Sequence, residues 1–165
     1  MLEKDFNTLF KNTLINLGFY AYKIPDTGNG FRISAPCDGV FYGPNGIAGI
    51  WEGKRAKEIK GFNPKVLETQ QVTSLKQLKK LNYMALVPFY VFLPRHSFML
   101  LLDYDLVDFL FENCLTLKKS DIISLEKKYV AIKKGNTLFD INSITELKEK
   151  IVKIADIDNL KEYLI

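Results

Sequence analysis

The chain has 165 residues, of which 47% are hydrophobic and 13% aromatic, and its formal net charge is +4. This length predicts one domain, and the apolar content excludes the disordered class. No apolar run approaches the roughly 18 residues of a membrane span, and the acids in the N-terminal segment MLEKDFNTLF argue against a signal peptide. The only histidine is His96, and the two cysteines, Cys37 and Cys114, lie far apart. Zinc sites with two histidines are therefore excluded, and we expect a reduced, cytoplasmic protein whose chemistry rests on carboxylates and lysines.

The hydrophobic pattern predicts helices that flank a sheet. Apolar residues at three- and four-residue spacing indicate helices, and short apolar runs bounded by Gly or Pro indicate strands. In chain order, the predicted elements are a helix over 2–17, a strand over 19–24, a loop over 25–36, hairpin strands near 37–43 and 47–56, a helix over 64–81, paired strands over 83–94 and 97–104, a short helix over 105–114, a hairpin over 128–141 and a helix over 143–154. This order predicts an α/β or α+β fold with a mixed sheet, in which strand 83–94 is buried on both faces.

The turn of the first hairpin decides which side chains face each other. Its sequence, Gly-Pro-Asn-Gly at 43–46, predicts a type I turn followed by a left-handed Gly46, which is a three-residue hairpin loop. Such a loop pairs residue 43 with residue 47 and therefore places Asp38 opposite Glu52. Because side chains alternate along a strand, Lys54 lies on the same face as Glu52.

Two facing carboxylates repel each other in a sheet unless another group compensates for their charge. Mg²⁺ would do so, since it binds carboxylate oxygens and keeps several waters, and Mn²⁺ would substitute for it. We therefore predict that Asp38 and Glu52 are metal ligands and that Lys54 orients the attacking water or holds a phosphate during hydrolysis of a phosphodiester. The alternative is an exposed strand in which these charges form salt bridges.

Two further side chains are candidates for the same site. Gln71 lies four residues after Leu67 and four before Leu75, on the predicted inward face of its helix, where an amide needs a partner such as a carboxylate or the attacking water. Gln70 takes this role if the helical phase differs by one residue, and a glutamine at the margin of the apolar stripe is the alternative. Glu3 borders the apolar face of the first helix and would supply a third carboxylate, although helix N-termini favour acids in any case.

Positive charge is concentrated next to the hairpin. Residues 52–80 hold eight Lys or Arg and three acids, a local charge of +5, which favours a polyanionic partner such as DNA. A solvated helix face with a lysine-rich loop is the alternative. The candidate phosphate-binding residues are Arg32, Arg55, Lys57, Lys60, Lys76, Lys79 and Lys80.

Taken together, these segments resemble the PD-(D/E)XK nuclease superfamily, and within it the RecU and archaeal-type Holliday junction resolvases. LEKDFN at 2–7 is similar to the Leu-Glu-x-x-hydrophobic-Asn segment of the RecU group, and CDGVFYGPNGIAGIWEGK at 37–54 is similar to its aspartate, hairpin and Glu-x-Lys segment. FNPKVLETQQVTSL at 62–75 is similar to its Phe-Pro-rich stretch and glutamine-containing helix, which favours Gln71 over Gln70. The chain has Gly53 where this group often has Ala.

The resemblance implies a restriction-endonuclease-like core of αβββαβ order at 1–103, with 104–165 as a strand-and-helix extension of the same domain. It implies a homodimer that binds four-way DNA junctions and makes symmetric, Mg²⁺-dependent nicks that leave 5′-phosphates. The alternatives are another nuclease of the superfamily, of restriction or repair type, a non-catalytic DNA-binding module, or a protein-interaction domain.

The resemblance also implies roles for the candidate residues. Asp38 and Glu52 would ligate the metal, and Lys54 would serve the attacking water or the phosphate. Glu3 and Gln71 would support the site.

Overall fold

Helices and strands alternate along the computed structural model, which describes residues 1–25, 35–133 and 138–164. The helices are α1 (Glu3–Asn16), α2 (Thr69–Lys80), α3 (Tyr104–Glu112), α4 (Lys119–Ser124), α5 (Ile144–Lys150) and α6 (Asp158–Lys161). The strands are β1 (Tyr20–Lys23), β2 (Gly39–Tyr42), β3 (Ala48–Trp51), β4 (Lys54–Ala56), β5 (Met84–Phe92), β6 (Ser97–Asp103), β7 (Val130–Ala131) and β8 (Ile151–Val152). No helix among the described residues has the length and apolar character needed to cross a bilayer.

The strands of the described residues form a mixed sheet. Along its main path the order is β1-β2-β3-β5-β6-β7, while β4 pairs with β5 and β8 pairs with β6. β5 runs parallel to β3 and β4, and β8 runs parallel to β6, whereas the other pairs are antiparallel. The parallel pairing of β3 with β5 requires a crossover, which α2 provides. The predicted αβββαβ order and fold class are confirmed, with the third predicted strand divided into β3 and β4.

Apolar side chains cover both faces of the sheet. On the side of α1, Phe6 stacks on Tyr90 of β5, and Phe10 meets Trp51 of β3 edge to face. Leu75 of α2 belongs to the core on the opposite face, together with alternate residues of β5. The interior of β5 is buried throughout, as predicted for this strand. The end of β3 therefore lies between two packed layers, which hold α1 and α2 on either side of it.

The register of the first hairpin is as predicted. Gly39 pairs with Trp51, and the Gly43 N–H donates to the Ile47 carbonyl at 2.6 Å. The predicted turn type is wrong at Asn45, which has a φ of 60°, because a type I turn requires a negative φ at its third residue. Asparagine tolerates this left-handed conformation, so the loop keeps its length and the register is unchanged.

The predicted strand over 47–56 is wrong in one respect, because it is interrupted at Glu52 and Gly53. The Glu52 N–H still donates to the Leu86 carbonyl of β5 at 3.0 Å. In a parallel ladder the next bond would run from the backbone nitrogen of residue 88 to the Glu52 carbonyl. Residue 88 is Pro88, which has no N–H, so the ladder is interrupted there and resumes at Lys54 and Phe89.

The second helix begins later than predicted. Residues 64–66 form a short 3-10 turn, Leu67 is extended and buried, and α2 starts at Thr69. The Glu68 backbone N–H donates to the side-chain oxygen of Gln71 at 2.9 Å. This bond belongs to a capping box, in which a side chain of the first turn satisfies a backbone donor at the helix start.

The last predicted helix, over 143–154, ends earlier than expected. Ser143 caps it as the sequence indicates, since its hydroxyl oxygen accepts a bond from the Glu146 N–H at 3.0 Å. The β-branched residues Ile151 and Val152 leave the helix and pair with β6 as β8. Most of the predicted loop over 25–36 lies outside the described residues.

Candidate metal centre

Three carboxylates meet at the end of β3. Glu3 is the first residue of α1, Asp38 precedes β2, and Glu52 follows β3. One oxygen of each lies within 4.8 Å of those of the other two. Lys54 and Gln71 contact Glu52. The structure therefore brings together all five side chains that the sequence suggests as catalytic.

Asp38 accepts hydrogen bonds from N–H groups of two separate segments, α1 and the link between β3 and β4. Its Oδ2 accepts one bond from the Gly53 backbone N–H at 2.8 Å and another from Nδ2 of Asn7 at 2.9 Å. The Gly53 N–H reaches Asp38 at the point where the ladder with β5 is interrupted. The Asp38 N–H donates to the Trp51 carbonyl at 3.0 Å, which attaches its backbone to β3. Both the backbone and the carboxylate of Asp38 are thus fixed to the end of β3, and the carboxylate is also fixed to α1.

Asn7, Trp51 and Tyr90 form a buried network that the sequence analysis missed. Oδ1 of Asn7 accepts bonds from Nε1 of Trp51 at 3.2 Å and from the Tyr90 hydroxyl at 2.7 Å. Burial raises the pKa of Tyr90 well above its usual value, so its hydroxyl remains a donor. Two signals were available, because Asn7 follows Glu3 by four residues and therefore lies on the same face of α1, and because it ends the LEKDFN segment that resembles Leu-Glu-x-x-hydrophobic-Asn. Nothing in the sequence indicates that Trp51 and Tyr90 meet this amide.

Glu52 is the most enclosed of the three carboxylates, with 2% of its surface exposed. Its Oε1 accepts a bond from Nε2 of Gln71 at 2.8 Å and lies 3.3 Å from Nζ of Lys54. Its Oε2 is buried and has no hydrogen-bond partner among the described residues. Gln70, the alternative to Gln71, is exposed. The helical phase therefore directs Gln71 to the carboxylate.

The electrostatics of the three carboxylates favour a cation. Burial, followed by the negative charge of Asp38, raises the pKa of Glu52 to about 8, against a smaller opposing effect of Lys54. Burial also raises the pKa of Glu3. A buried oxygen without a partner is costly in a folded protein, and a hard divalent cation would both bind this oxygen and lower the repulsion. The residues present thus fit a magnesium or manganese ion.

A cysteine also lies beside this centre. Cys37 precedes Asp38, and its side chain is buried. Burial, with a contribution from the charge of Glu52, raises the pKa of the Cys37 thiol to about 12. Because the thiolate is the nucleophile and the metal ligand, this shift disfavours the reactive form of Cys37 at neutral pH.

Basic residues line a cleft next to the carboxylates. The cleft has a volume of about 280 Å³, and its walls include Glu3, Lys54, Arg55 and Lys60. The Arg55 guanidinium donates to the Met1 carbonyl, and the Arg55 backbone N–H donates to the Glu3 carboxylate. Lys60 is exposed. The cleft thus presents positive charge beside the centre.

The other candidate phosphate-binding residues lie in different surroundings. Nζ of Lys79 lies 2.8 Å from Oδ1 of Asp103 and 3.5 Å from Oδ2 of Asp105, and Lys76 lies 4.0 Å from Asp108. Acids of β6 and α3 therefore compensate both lysines. Lys57 and Lys80 are exposed, and Arg32 lies outside the described residues.

Comparison with known proteins shows similarity to solved structures. No protein-family model and no curated protein sequence matches the chain. A solved structure of Hjc, a Holliday junction resolvase from the archaeal hyperthermophile Archaeoglobus fulgidus, is 19% identical in sequence, with a TM-score of 0.34. The match covers 66% of this chain and 89% of that one. At this identity and TM-score the similarity carries no argument about activity, and the functional assignment rests on the geometry of the centre.

Proposed function

We propose that the chain is a divalent-metal-dependent endodeoxyribonuclease that hydrolyses phosphodiesters to 5′-phosphate products. One observation carries this proposal: Glu52, with a buried oxygen that has no partner among the described residues, belongs to a group of three carboxylates within 4.8 Å of one another. Such a group is unfavourable without a cation and suits Mg²⁺, or Mn²⁺ in its place. The adjacent cleft supplies the positive charge that a nucleic-acid backbone requires.

Each residue then has a defined part in the reaction. Asp38 and Glu52 would hold the cation, with Glu3 beside them. A bound Mg²⁺ supplies a Lewis acid that withdraws electron density from the phosphodiester and lowers the pKa of water. Lys54 orients the attacking water or a non-bridging phosphate oxygen, and Gln71 keeps Glu52 in place through its bond to Oε1. Attack of water on phosphorus breaks the bond to the 3′-oxygen, which leaves as a hydroxyl.

We propose that the substrate is a four-way DNA junction and that the active form is a homodimer. The order of the motifs, which resembles that of the RecU and archaeal-type resolvases, supports this choice. Paired cuts on opposed strands require two centres at a fixed separation, which a two-fold dimer provides. In the proposed complex, Arg55 and Lys60 contact the phosphates next to the scissile bond.

The same proposal covers the organisation of the chain. Residues 1–103 would form the nuclease core and 104–165 an extension of the same domain, acting in the cytoplasm. The pairing of β7 and β8 with β6 supports a shared sheet.

A cleavage assay tests the proposal. Labelled four-way junction, duplex, single strand and fork would be incubated with the chain, with and without Mg²⁺. The variants are Asp38→Asn and Lys54→Ala, with Glu126→Gln as the control, because Glu126 is an exposed acid in another Glu-x-Lys tripeptide. We expect the unaltered chain and the Glu126→Gln control to make paired nicks in the junction. The cleavage rate of Asp38→Asn and of Lys54→Ala should be at least about 100-fold lower.

The other outcomes lead to different conclusions. Cleavage of all substrates would retain the nuclease and exclude junction specificity. Tight DNA binding without cleavage in any divalent metal would indicate a non-catalytic DNA-binding module. The homodimer would be excluded if the unaltered chain sedimented as a monomer at assay concentration both in the absence and in the presence of the junction.

A further inference from the structure

The network around Asn7 assigns this residue a task that the proposed reaction does not by itself require. Asn7 is 4% exposed, and its two hydrogen-bond donors, Trp51 and Tyr90, are fully buried. We propose that Asn7 is a positioning residue, which holds Asp38 in the orientation that binds the cation, and that it makes glycine obligatory at position 53. The inference rests on the proposed function only in taking Asp38 as a cation ligand.

The orientation of the Asn7 amide is determined by its neighbours. An indole N–H can only donate a hydrogen bond, so the atom of Asn7 that faces Nε1 of Trp51 at 3.2 Å must be the amide oxygen. The Tyr90 hydroxyl, at 2.7 Å, donates to the same oxygen. The amide nitrogen is consequently directed to Oδ2 of Asp38, at 2.9 Å. Trp51 and Tyr90 therefore determine that the nitrogen of the Asn7 amide, and not its oxygen, faces the Asp38 carboxylate.

Gly53 is linked to Asn7 through space as well as through Asp38. Its backbone N–H also donates to Oδ2 of Asp38, at 2.8 Å. A Cβ at position 53 would lie 2.3 Å from Oδ1 of Asn7 and 2.5 Å from Cε2 of Tyr90. These distances are far below van der Waals contact, so any side chain would force the Asn7 amide or the Tyr90 ring to move. The glycine at the centre of the Glu-x-Lys tripeptide thus follows from the presence of Asn7 and Tyr90.

Loss of the Asn7 bond removes one N–H donor from Oδ2 of Asp38 and leaves the Gly53 N–H bond in place. Residues that orient a metal ligand typically change metal affinity by roughly 10- to 100-fold when they are replaced. A purely structural role predicts a different result, namely a loss of stability with unchanged affinity. The two roles are therefore separated by measuring cation affinity and stability on the same variants.

The test is calorimetric titration of the full chain with Mn²⁺, with thermal unfolding measured in parallel. The variants are Asn7→Ser and Gly53→Ala, alone and combined. The matched control is Thr13→Val, on the same helix. Thr13 is also buried, and its hydroxyl oxygen accepts a bond from the Phe139 N–H at 2.9 Å, but it contacts none of the three carboxylates in the described hydrogen bonds. Tyr90→Phe is added because it removes one donor to Asn7 and keeps the ring.

We expect Asn7→Ser to weaken Mn²⁺ binding by about 10- to 100-fold, and Gly53→Ala to weaken it by about tenfold. The smaller serine removes the nearest atom that a Cβ at position 53 meets, Oδ1 of Asn7, although Cε2 of Tyr90 remains. Gly53→Ala should therefore cost less in the Asn7→Ser background than alone, a coupling that only neighbouring sites display. Tyr90→Phe should weaken binding a few-fold. Thr13→Val should lower the unfolding temperature and leave the affinity within about twofold.

Three results would overturn the inference. The first is Mn²⁺ binding within about twofold of the unaltered chain in Asn7→Ser, or, if that variant is unfolded, in both Gly53→Ala and Tyr90→Phe. The second is a Thr13→Val affinity that falls as much as that of Asn7→Ser, which would mean that affinity follows stability. The third is no Mn²⁺ binding by the unaltered chain. That result removes the proposed metal centre itself, whereas the first two leave it in place.

Discussion

Glu52 provides the sharpest physical prediction, because burial of its carboxyl group makes the metal-free fold less stable as the pH rises above 4.5. Burial, followed by the charge of Asp38, raises the pKa of Glu52 from 4.5 to about 8. The perturbation is Glu52→Gln, which removes the ionisable group. Its amide oxygen can still accept the hydrogen bond that Gln71 donates. We expect this variant to be more stable than the unaltered chain at neutral and alkaline pH in the absence of metal.

The magnitude follows from the interval between the two pKa values. Below pH 4.5 Glu52 is protonated in both the folded and the unfolded chain, and it has no effect on stability. Above that value the unfolded chain releases the proton while the folded chain retains it. The free energy of unfolding therefore falls by up to about 1.4 kcal/mol per pH unit until the folded carboxyl ionises near pH 8. From about pH 5 to about pH 8 the loss is about 3.5 kcal/mol, or roughly 10 °C in Tm for a domain of this size.

Urea denaturation of EDTA-treated protein measures this difference. Trp51 is the only tryptophan and lies next to the centre, so its fluorescence follows unfolding. The unaltered chain, Glu52→Gln and the exposed control Glu126→Gln would each be unfolded at several pH values, with m-values compared to verify that the transitions are equivalent. We expect the advantage of Glu52→Gln to grow with pH, whereas the curve for Glu126→Gln remains parallel to that of the unaltered chain.

A constant difference between Glu52→Gln and the unaltered chain from about pH 5 to about pH 8 would refute the reasoning, because Glu52 would then have an ordinary pKa. Metal provides a second arm of the same experiment. Since a cation binds the ionised carboxylates, millimolar Mg²⁺ should stabilise the unaltered chain most at alkaline pH. The Glu52→Gln variant should gain little. Equal stabilisation of both proteins would place the cation elsewhere.

Two further substitution pairs test the neighbours of the centre. Gln71→Ala should lower cleavage by about tenfold or more, because Glu52 loses its amide donor, whereas Gln70→Ala should stay within about twofold; equal effects of the two would contradict the observed helical phase. Lys60→Ala should weaken DNA binding and reduce the slope of log affinity against log salt by about 1. Lys79→Ala should leave that slope unchanged, because Asp103 and Asp105 already compensate this lysine, and a slope change equal to that of Lys60→Ala would show that the lysine contacts phosphate.

The parts of the centre that the sequence predicted correctly depend on local rules. Hairpin register follows from loop length, so Asp38 was placed opposite Glu52 even though the turn type was wrong at Asn45. Helical periodicity likewise predicts that Gln71 lies on the inward face of its helix, where the structure places its amide next to the Glu52 carboxylate. The helix boundary was wrong, but α2 still begins early enough to keep Gln71 on the inward face, in its first turn.

The parts that were missed depend on contacts between distant segments. The interruption of the strand over 47–56 follows from Pro88, and this proline matters only because β5 lies beside Glu52 in the sheet. Asn7 and Tyr90 are 83 residues apart in sequence and meet only in the folded chain. A pattern within one segment carries no information about such a pair. The sequence points to Asn7 only through its spacing from Glu3 and its place at the end of the LEKDFN segment, and neither feature indicates its contacts with Trp51 and Tyr90.

Asn7 and Gln71 bind Asp38 and Glu52, respectively, in the same way and from opposite faces of the sheet. In each amide the oxygen is occupied by donors, which are Trp51 and Tyr90 for Asn7 and the backbone of Glu68 for Gln71. The nitrogen is consequently directed to the carboxylate. Neutral N–H donors thus orient both carboxylates, and Lys54 adds a positive charge beside Oε1 of Glu52.

This arrangement also makes the centre dependent on both helices. Because α1 carries the amide that binds Asp38 and α2 carries the amide that binds Glu52, the cation-binding geometry exists only when both helices are packed on the sheet. Local unfolding of either helix would release one carboxylate and leave the other in place. Cation binding should accordingly stabilise α1 and α2 together, although they lie on opposite faces.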